Sequence, residues 1–199
     1  MKDHYLTQLR DANLSMVKFR ENAQKLIQLL AAEAARFLPL KPTRVQTPFS
    51  ETAGQTLPKA PILIAILRSG LAMLPPFLKL FPDAPIGFFG MRRDEKTLQP
   101  HLYYENLPLL HPDDNVFLLD PIVATGGSSA LALQKICAAG VRPEKIVFAS
   151  ILASKQGASL LDQRFPQVRR CCAAVDERLN PQGYIVPGLG DFGDRFFGT

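Results

Sequence analysis

The chain has 199 residues, 47% of them apolar and 21% charged, with a formal net charge of +5. Those proportions exclude a disordered or low-complexity chain and describe a globular protein of one domain over 1–199, long enough to bury a core. The basic residues are dispersed, so the positive balance suits small polyanions at least as well as nucleic acid.

Three cysteines, Cys137, Cys171 and Cys172, form neither a disulfide framework nor a zinc-ligand pattern, which points to a reducing, cytoplasmic setting. No apolar run behind a basic start marks a signal peptide, and no uninterrupted apolar segment reaches the length of a membrane span. A membrane partner is therefore not expected. His4, His101 and His111 lie far apart and suggest exposed or structural histidines rather than metal ligands.

In chain order, apolar residues at helical spacing (Phe19, Ala23, Leu26, Ile27, Leu30, Ala34, Phe37) predict a helix over 15–38. Ser15 is its N-cap and Pro39 its stop. Its apolar face is either core or a subunit contact. Residues 39–60, rich in Pro, Thr and Lys, suggest a connector with one short strand around Val45. From Pro61 the pattern alternates. A buried strand at 61–67 leads into Arg68-Ser69-Gly70 and a helix to Leu80, short or broken because of Pro75-Pro76. A strand over Ile86–Phe89 is followed by an excursion at 91–108, charged and then aromatic, expected to be a protruding hairpin or flexible arm.

Strands at 116–119, Ile146–Leu152 and Cys171–Val175 then alternate with helices, one opening before Ala130 and one over Gly157–Phe165. Such alternation predicts an α/β fold, a mainly parallel sheet flanked by helices on both faces. The tail from Asp176 leaves the pattern, with five glycines and the acids Asp191 and Asp194. It reads as a structured loop region over the sheet.

Leu119-Asp120-Pro121-Ile122-Val123-Ala124-Thr125-Gly126-Gly127-Ser128 places an acid, two hydroxyls and two glycines between a buried strand and a helix start. Helix N-terminal N–H groups attract phosphate, glycine lets the main chain come close, and Asp120 can accept from ribose hydroxyls. The plainer alternative is a tight turn. The spacing matches neither a Walker A loop nor a G-x-G-x-x-G fingerprint. Arg68, also at a strand's carboxyl end, has the forked geometry to hold phosphate or pyrophosphate, though a surface arginine capping a loop would look the same. Arg92-Arg93-Asp94-Glu95-Lys96 read alone is a solvated charged turn. Together the segments admit a substrate with phosphate at both ends, a layout that 5-phosphoribosyl diphosphate (PRPP) has. The tail segment Gly183–Asp194 can present main-chain groups to a flat heterocycle, with Tyr184 or Phe192 shielding the ring, or can be a packed coil.

With those segments assembled, the chain resembles the uracil phosphoribosyltransferase family over nearly its whole length. Asp120 to Ser128 resembles the family's PRPP loop, and Ala65-Ile66-Leu67-Arg68-Ser69-Gly70-Leu71 its pyrophosphate loop. Met91 to Pro100, followed by Tyr103-Tyr104, resembles its arm motif, and Gly183 to Thr199 its uracil-binding hood. Weaker similarity covers Leu9-Arg10-Asp11 and Phe19-Arg20-Glu21. The resemblance implies an N-terminal helical segment of about 5–38, an arm of about 91–108 and a hood of about 176–199.

It also implies transfer of phosphoribosyl from PRPP to uracil, giving UMP and pyrophosphate. Arg68 and Arg93 would bind pyrophosphate, and Asp120, Pro121, Ile122, Val123, Ala124, Thr125, Gly126, Gly127 and Ser128 the ribose 5-phosphate. Ile185, Gly190, Asp191 and Phe192 would hold uracil, with Asp191 also near PRPP and placed to take the ring proton. Mg²⁺ would be bound mainly through PRPP, and the resemblance further implies a homodimer or homotetramer and admits a GTP effector. Ala65 stands where the family often has proline, Ser69 where alanine is common, and Arg92 beside Arg93 where tyrosine is frequent, so the two arginines can exchange roles. Pro121 occupies the place of a second ribose-loop acid, leaving Asp120 alone. No His or Cys falls in any motif, so covalent catalysis is not expected. The competing expectation is a regulator of the same fold that binds RNA or a nucleotide with little catalysis. A third is specificity for another base.

Overall fold

The structure, a computed structural model, describes residues 1–93 and 100–199, Arg93 by its main chain alone. Two helices open it, α1 (Lys2–Arg10) and α2 (Met16–Ala35), where one helical segment is expected over about 5–38. Asp11 parts them: it is extended (φ −65°, ψ 116°), and its carboxylate accepts from the Asn13 N–H in a side-chain-closed turn. Ser15 caps α2, accepting from the Lys18 N–H. Because α2 stops at Ala35, Phe37 falls outside its apolar face; 38% exposed, it lies under the Arg169 guanidinium instead of in the core.

Next come β1 (Lys41–Gln46) and β2 (Glu51–Thr56), an antiparallel hairpin in place of the single strand expected around Val45. Its turn is closed by Thr47 Oγ1, which accepts from the Phe49 and Ser50 N–H groups. Neither strand buries a face, so no apolar alternation announces it.

The remaining elements are β3 (Ile62–Leu67), a 3₁₀ turn over Ser69–Met73, α3 (Leu74–Leu80), β4 (Ile86–Arg93), β5 (Pro100–Asn106), β6 (Val116–Leu119), β7 (Ile122–Val123) and α4 (Gly127–Ala138). After them run β8 (Ile146–Ser154), α5 (Lys155–Arg164), β9 (Arg169–Asp176), β10 (Arg178–Leu179), β11 (Ile185–Val186) and α6 (Phe192–Phe197). Pro75 and Pro76 sit in the first turn of α3, where a missing N–H costs nothing, and this splits the expected helix in two.

Seven strands make the main sheet, in the order β5-β4-β3-β6-β8, with β7 continuing β6 along one edge of β8 and β9 on the other. Among the described residues of this sheet, only the β4–β5 pairing is antiparallel. This pair falls within the excursion expected at 91–108; Asp94–Gln99 lie outside the described residues.

Strand alternation builds two cores. Leu63 and Ala65 of β3, with Phe117 and Leu119 of β6, face α1, α2 and α3. Ile62, Ile64 and Ile66, with Val116 and Leu118, face α4 and α5. Burial on both faces explains why these strands are continuous apolar runs in the sequence. From β3 the chain crosses to β4 on one side, and from β6 to β8 on the other. The sheet therefore changes winding direction between β3 and β6, which opens a crevice at their carboxyl ends.

Phe117 is fully buried, with ring centroids 5.4 Å from Phe77 and 5.6 Å from Phe81. Phe117→Ala is expected to lower stability by about 3–5 kcal/mol. Urea denaturation should show a lower midpoint with an unchanged slope.

Candidate active site

One wall of the crevice is the segment after β6. Asp120 and Pro121 interrupt the strand, and the Pro121 carbonyl accepts from both Ile151 and Leu152 N–H groups, at 2.9 and 3.0 Å. Pro121 is thus buried as an anchor to β8 and is not among the residues lining the cleft. Beyond it, Gly126 takes φ +81° and packs on α5: a Cβ there would lie 3.0 Å from the Gly157 carbonyl oxygen. Gly157 is as constrained, since its Cβ would meet the Ala124 carbonyl at 2.5 Å. Ser154 locks the contact by accepting from the Gly157 N–H at 2.9 Å and donating to the Ala124 carbonyl at 2.5 Å. The loop then enters α4 at Gly127, leaving the helix's first N–H groups without partners inside the helix.

Asp120 is buried beneath this loop. Its carboxylate accepts from the Ile122 N–H at 3.4 Å and the Ser129 hydroxyl at 3.3 Å. Burial raises its pKa to about 7, against the opposing pull of those two hydrogen bonds.

The facing wall combines the turn after β3 with the chain's last segment. Arg68 is exposed, and Gly70 behind it lies so close to β6 that a Cβ would be 2.6 Å from the Leu119 carbonyl oxygen. The β10–β11 hairpin and α6 form a hood. Asp191 caps α6, its side chain accepting from the Asp194 N–H at 2.9 Å. Asp194 in turn reaches Arg68 within this wall, 3.8 Å apart and both well solvated, a weak pair. Ile185, Leu189 and Phe192 are buried in the core and fasten the hood. Phe192, 2% exposed and against Phe19, is therefore an anchor, whereas Tyr184, 44% exposed, stands free at the cleft as the ring available for shielding.

Together the walls enclose a cleft of about 920 Å³. Of the residues expected at a site, Arg68, Asp120, Ile122, Val123, Ala124, Thr125, Gly126, Gly127, Ser128, Ile185, Gly190, Asp191 and Phe192 all line it. The Arg93 side chain lies outside the described residues; its main chain pairs with Pro100. Arg92, His101 and Tyr103 line the cleft from β4 and β5; Arg92 and Tyr103 belong to the arm motif, whereas His101 is expected only as an exposed or structural histidine. Ser154 and Gly157 go unnoticed as site supports in a sequence reading, although Ser is a favoured N-cap residue at a helix start.

The Asp120 shift fixes a pH dependence. Because its folded pKa stands near 7 and the ordinary value is 3.8, its contribution to stability is fully present below pH 3.8 and is lost as pH rises through about 7. Asp120→Asn cannot ionise. Its stability relative to the parent chain is expected to climb between those limits by on the order of a few kcal/mol, then level off. Paired denaturation curves at several pH values check this.

A family model described as uracil phosphoribosyltransferase matches residues 1–199. A uracil phosphoribosyltransferase of Limosilactobacillus fermentum is 43% identical over 98% of this chain and 93% of its own length. One from Campylobacter fetus is 42% identical over 99% and 93%. Among solved structures, the AQ2163 protein from Aquifex aeolicus superposes with a TM-score of 0.90 at 35% identity, covering 100% of this chain and 94% of that one. A hypoxanthine phosphoribosyltransferase from Trypanosoma cruzi, at 14% identity and a TM-score of 0.52 over 81% of this chain and 79% of its own, shares the fold. On the full-length match and that identity, the chain belongs to the uracil phosphoribosyltransferase family.

Proposed function

We propose that this chain transfers the 5-phosphoribosyl group of PRPP to uracil, giving UMP and pyrophosphate, a pyrimidine-salvage reaction. The observation that carries the reading is that the Asp120–Ser128 loop and the Asp191 segment line one cleft at the sheet's switch point. The loop takes the 5-phosphate on main-chain N–H groups and the hydroxyls of Thr125 and Ser128, and Asp120 accepts from the ribose hydroxyls. The hood segment with Ile185, Gly190, Asp191 and Phe192 takes the uracil edge, largely through main-chain groups. Tyr184 covers the ring.

Breaking the bond between the anomeric carbon and the pyrophosphate oxygen leaves positive charge on the ribose and negative charge on the leaving group. Arg68 and Arg93 meet that negative charge, each worth roughly 3–4 kcal/mol of transition-state stabilisation if well placed. Arg92 also faces the cleft and is the alternative partner for pyrophosphate. Uracil N1 then bonds to the anomeric carbon and gives up its proton, with Asp191 as acceptor. Holding the ring against that carbon is an orientation effect. Mg²⁺, held mainly through PRPP itself, would supply charge neutralisation for the leaving group. Asp120 and Asp191 are carboxylates lining the cleft, the hard oxygen donors such an ion takes.

A homo-oligomer belongs to the same reading. Every residue of the β1–β2 hairpin is exposed or half-buried, and Phe49 at its tip is 97% exposed. A two-stranded hairpin is marginal in water by itself, and a second copy of the chain would cover it.

Three measurements test the proposal. A panel of uracil, cytosine, hypoxanthine, adenine and orotate with PRPP and Mg²⁺ should release pyrophosphate and form nucleotide with uracil alone; preference for another base would overturn it. Arg68→Ala should lose at least about 100-fold in kcat/KM with its melting behaviour unchanged. Asp191→Asn isolates the proton step, because Asn caps a helix as well as Asp does. With α6 intact and PRPP still bound, turnover is expected to fall; full turnover would remove Asp191 from the step.

A further inference from the structure

The hood is held from outside the cleft by three arginines, two of them in the first twenty residues. Arg10 at the end of α1 grips Asp176 at the end of β9 with both terminal nitrogens, at 2.7 and 2.8 Å, and donates to the Gly188 carbonyl at 2.7 Å. Asp176 accepts from the Gly188 N–H at 2.9 Å. Both main-chain groups of Gly188 are thus bound to one ion pair. The turn there is tight: Gly188 has φ +62°, and a Cβ would lie 2.1 Å from the Ile185 carbonyl oxygen.

Arg195 of α6 continues the clasp. It donates to the Leu9 and Asp11 carbonyls, both at 2.5 Å, and to the Leu189 carbonyl at 2.6 Å, with its guanidinium 4.3 Å from the Phe19 ring centroid. Arg20 of α2 donates to the Phe196 carbonyl at 2.6 Å. Neither Arg10, Asp176, Arg20 nor Arg195 lines the cleft. Yet Gly188 is bonded directly to Leu189, the first of the run Leu189-Gly190-Asp191 that does.

A base read by main-chain groups is read only as well as those groups are placed, since hydrogen bonds weaken steeply with misalignment. The apolar anchors Ile185, Leu189 and Phe192 keep the hood docked on the core without any arginine. What they do not set is the path of the turn. We infer that Arg10, paired with Asp176, is a positioning residue for the base subsite, shaping the Gly188–Asp191 turn from a helix that never touches substrate. This rests on the reading of the hood as the uracil site. The loop that takes the 5-phosphate is fastened separately, through Pro121, Ser154 and Gly157, so most PRPP contacts do not depend on the clasp.

The test uses the 199-residue chain carrying Arg10→Gln, Arg10→Lys, Arg10→Ala or Asp176→Asn, with steady-state kinetics in both substrates. In Arg10→Gln and Asp176→Asn, the KM for uracil is expected to rise about tenfold or more, the scale of one lost charge-assisted hydrogen bond, with the KM for PRPP nearly unchanged. Arg10→Lys keeps the charge but not the two-pronged geometry, and should fall between. If Arg10→Gln does not fold, Arg10→Lys decides by the same split. Guanidinium added to Arg10→Ala should lower the raised uracil KM, a rescue that a general loss of stability would not give. An unchanged uracil KM, or both KM values rising together without rescue, would overturn the inference. An unaltered chain inactive on uracil would overturn the uracil reading itself, so the two failures are distinguishable.

Discussion

Main chain packed on main chain at the end of β6 is the constraint on which the site depends. Gly70 presses toward the Leu119 carbonyl from one side and Gly157 toward the Ala124 carbonyl from the other, each closer than any side chain would allow. Between them the chain must leave the sheet at Asp120, rejoin it at Ile122 and turn into α4 within a few residues. The loop's shape is thus dictated by neighbouring backbone rather than by its own side chains, which are free to face the cleft. Such a loop needs little rearrangement to meet a phosphate, and preorganisation of that kind is what makes fixed dipoles effective.

The same packing explains the state of Asp120. An acid forced beneath the loop loses water, and the Ile122 and Ser129 donors compensate only partly. A ribose whose hydroxyls replaced the lost solvation would favour the charged carboxylate.

Much of this was legible in the sequence, and the reasons are physical. β3, β6 and β8 are buried on both faces, so they appear as apolar runs. The loop from Asp120 to Ser128 declares itself by small residues between a strand and a helix. The β1–β2 hairpin does not, because its strands bury no face and its turn depends on one threonine hydroxyl. Pro121 lies within the legible segment yet serves β8 rather than the cleft, a distinction only the fold makes. Phe37 fits a helical period but misses the helix by two residues. The clasp was invisible, because all but one of the partners of Arg10 and Arg195 lie 166 to 186 residues away and most are carbonyls, which every residue has.

The joining of α1 to α6 bears on how the protein is made. Synthesis runs from α1 to α6, so Leu9 and Asp11 emerge 186 and 184 residues before the Arg195 that binds their carbonyls. The sheet and its phosphate loop need only residues up to β9, and they can settle while the ribosome is still working. The hood closes last, on a scaffold already standing. A nascent chain shortened before α6 would keep the pocket floor and lack its roof.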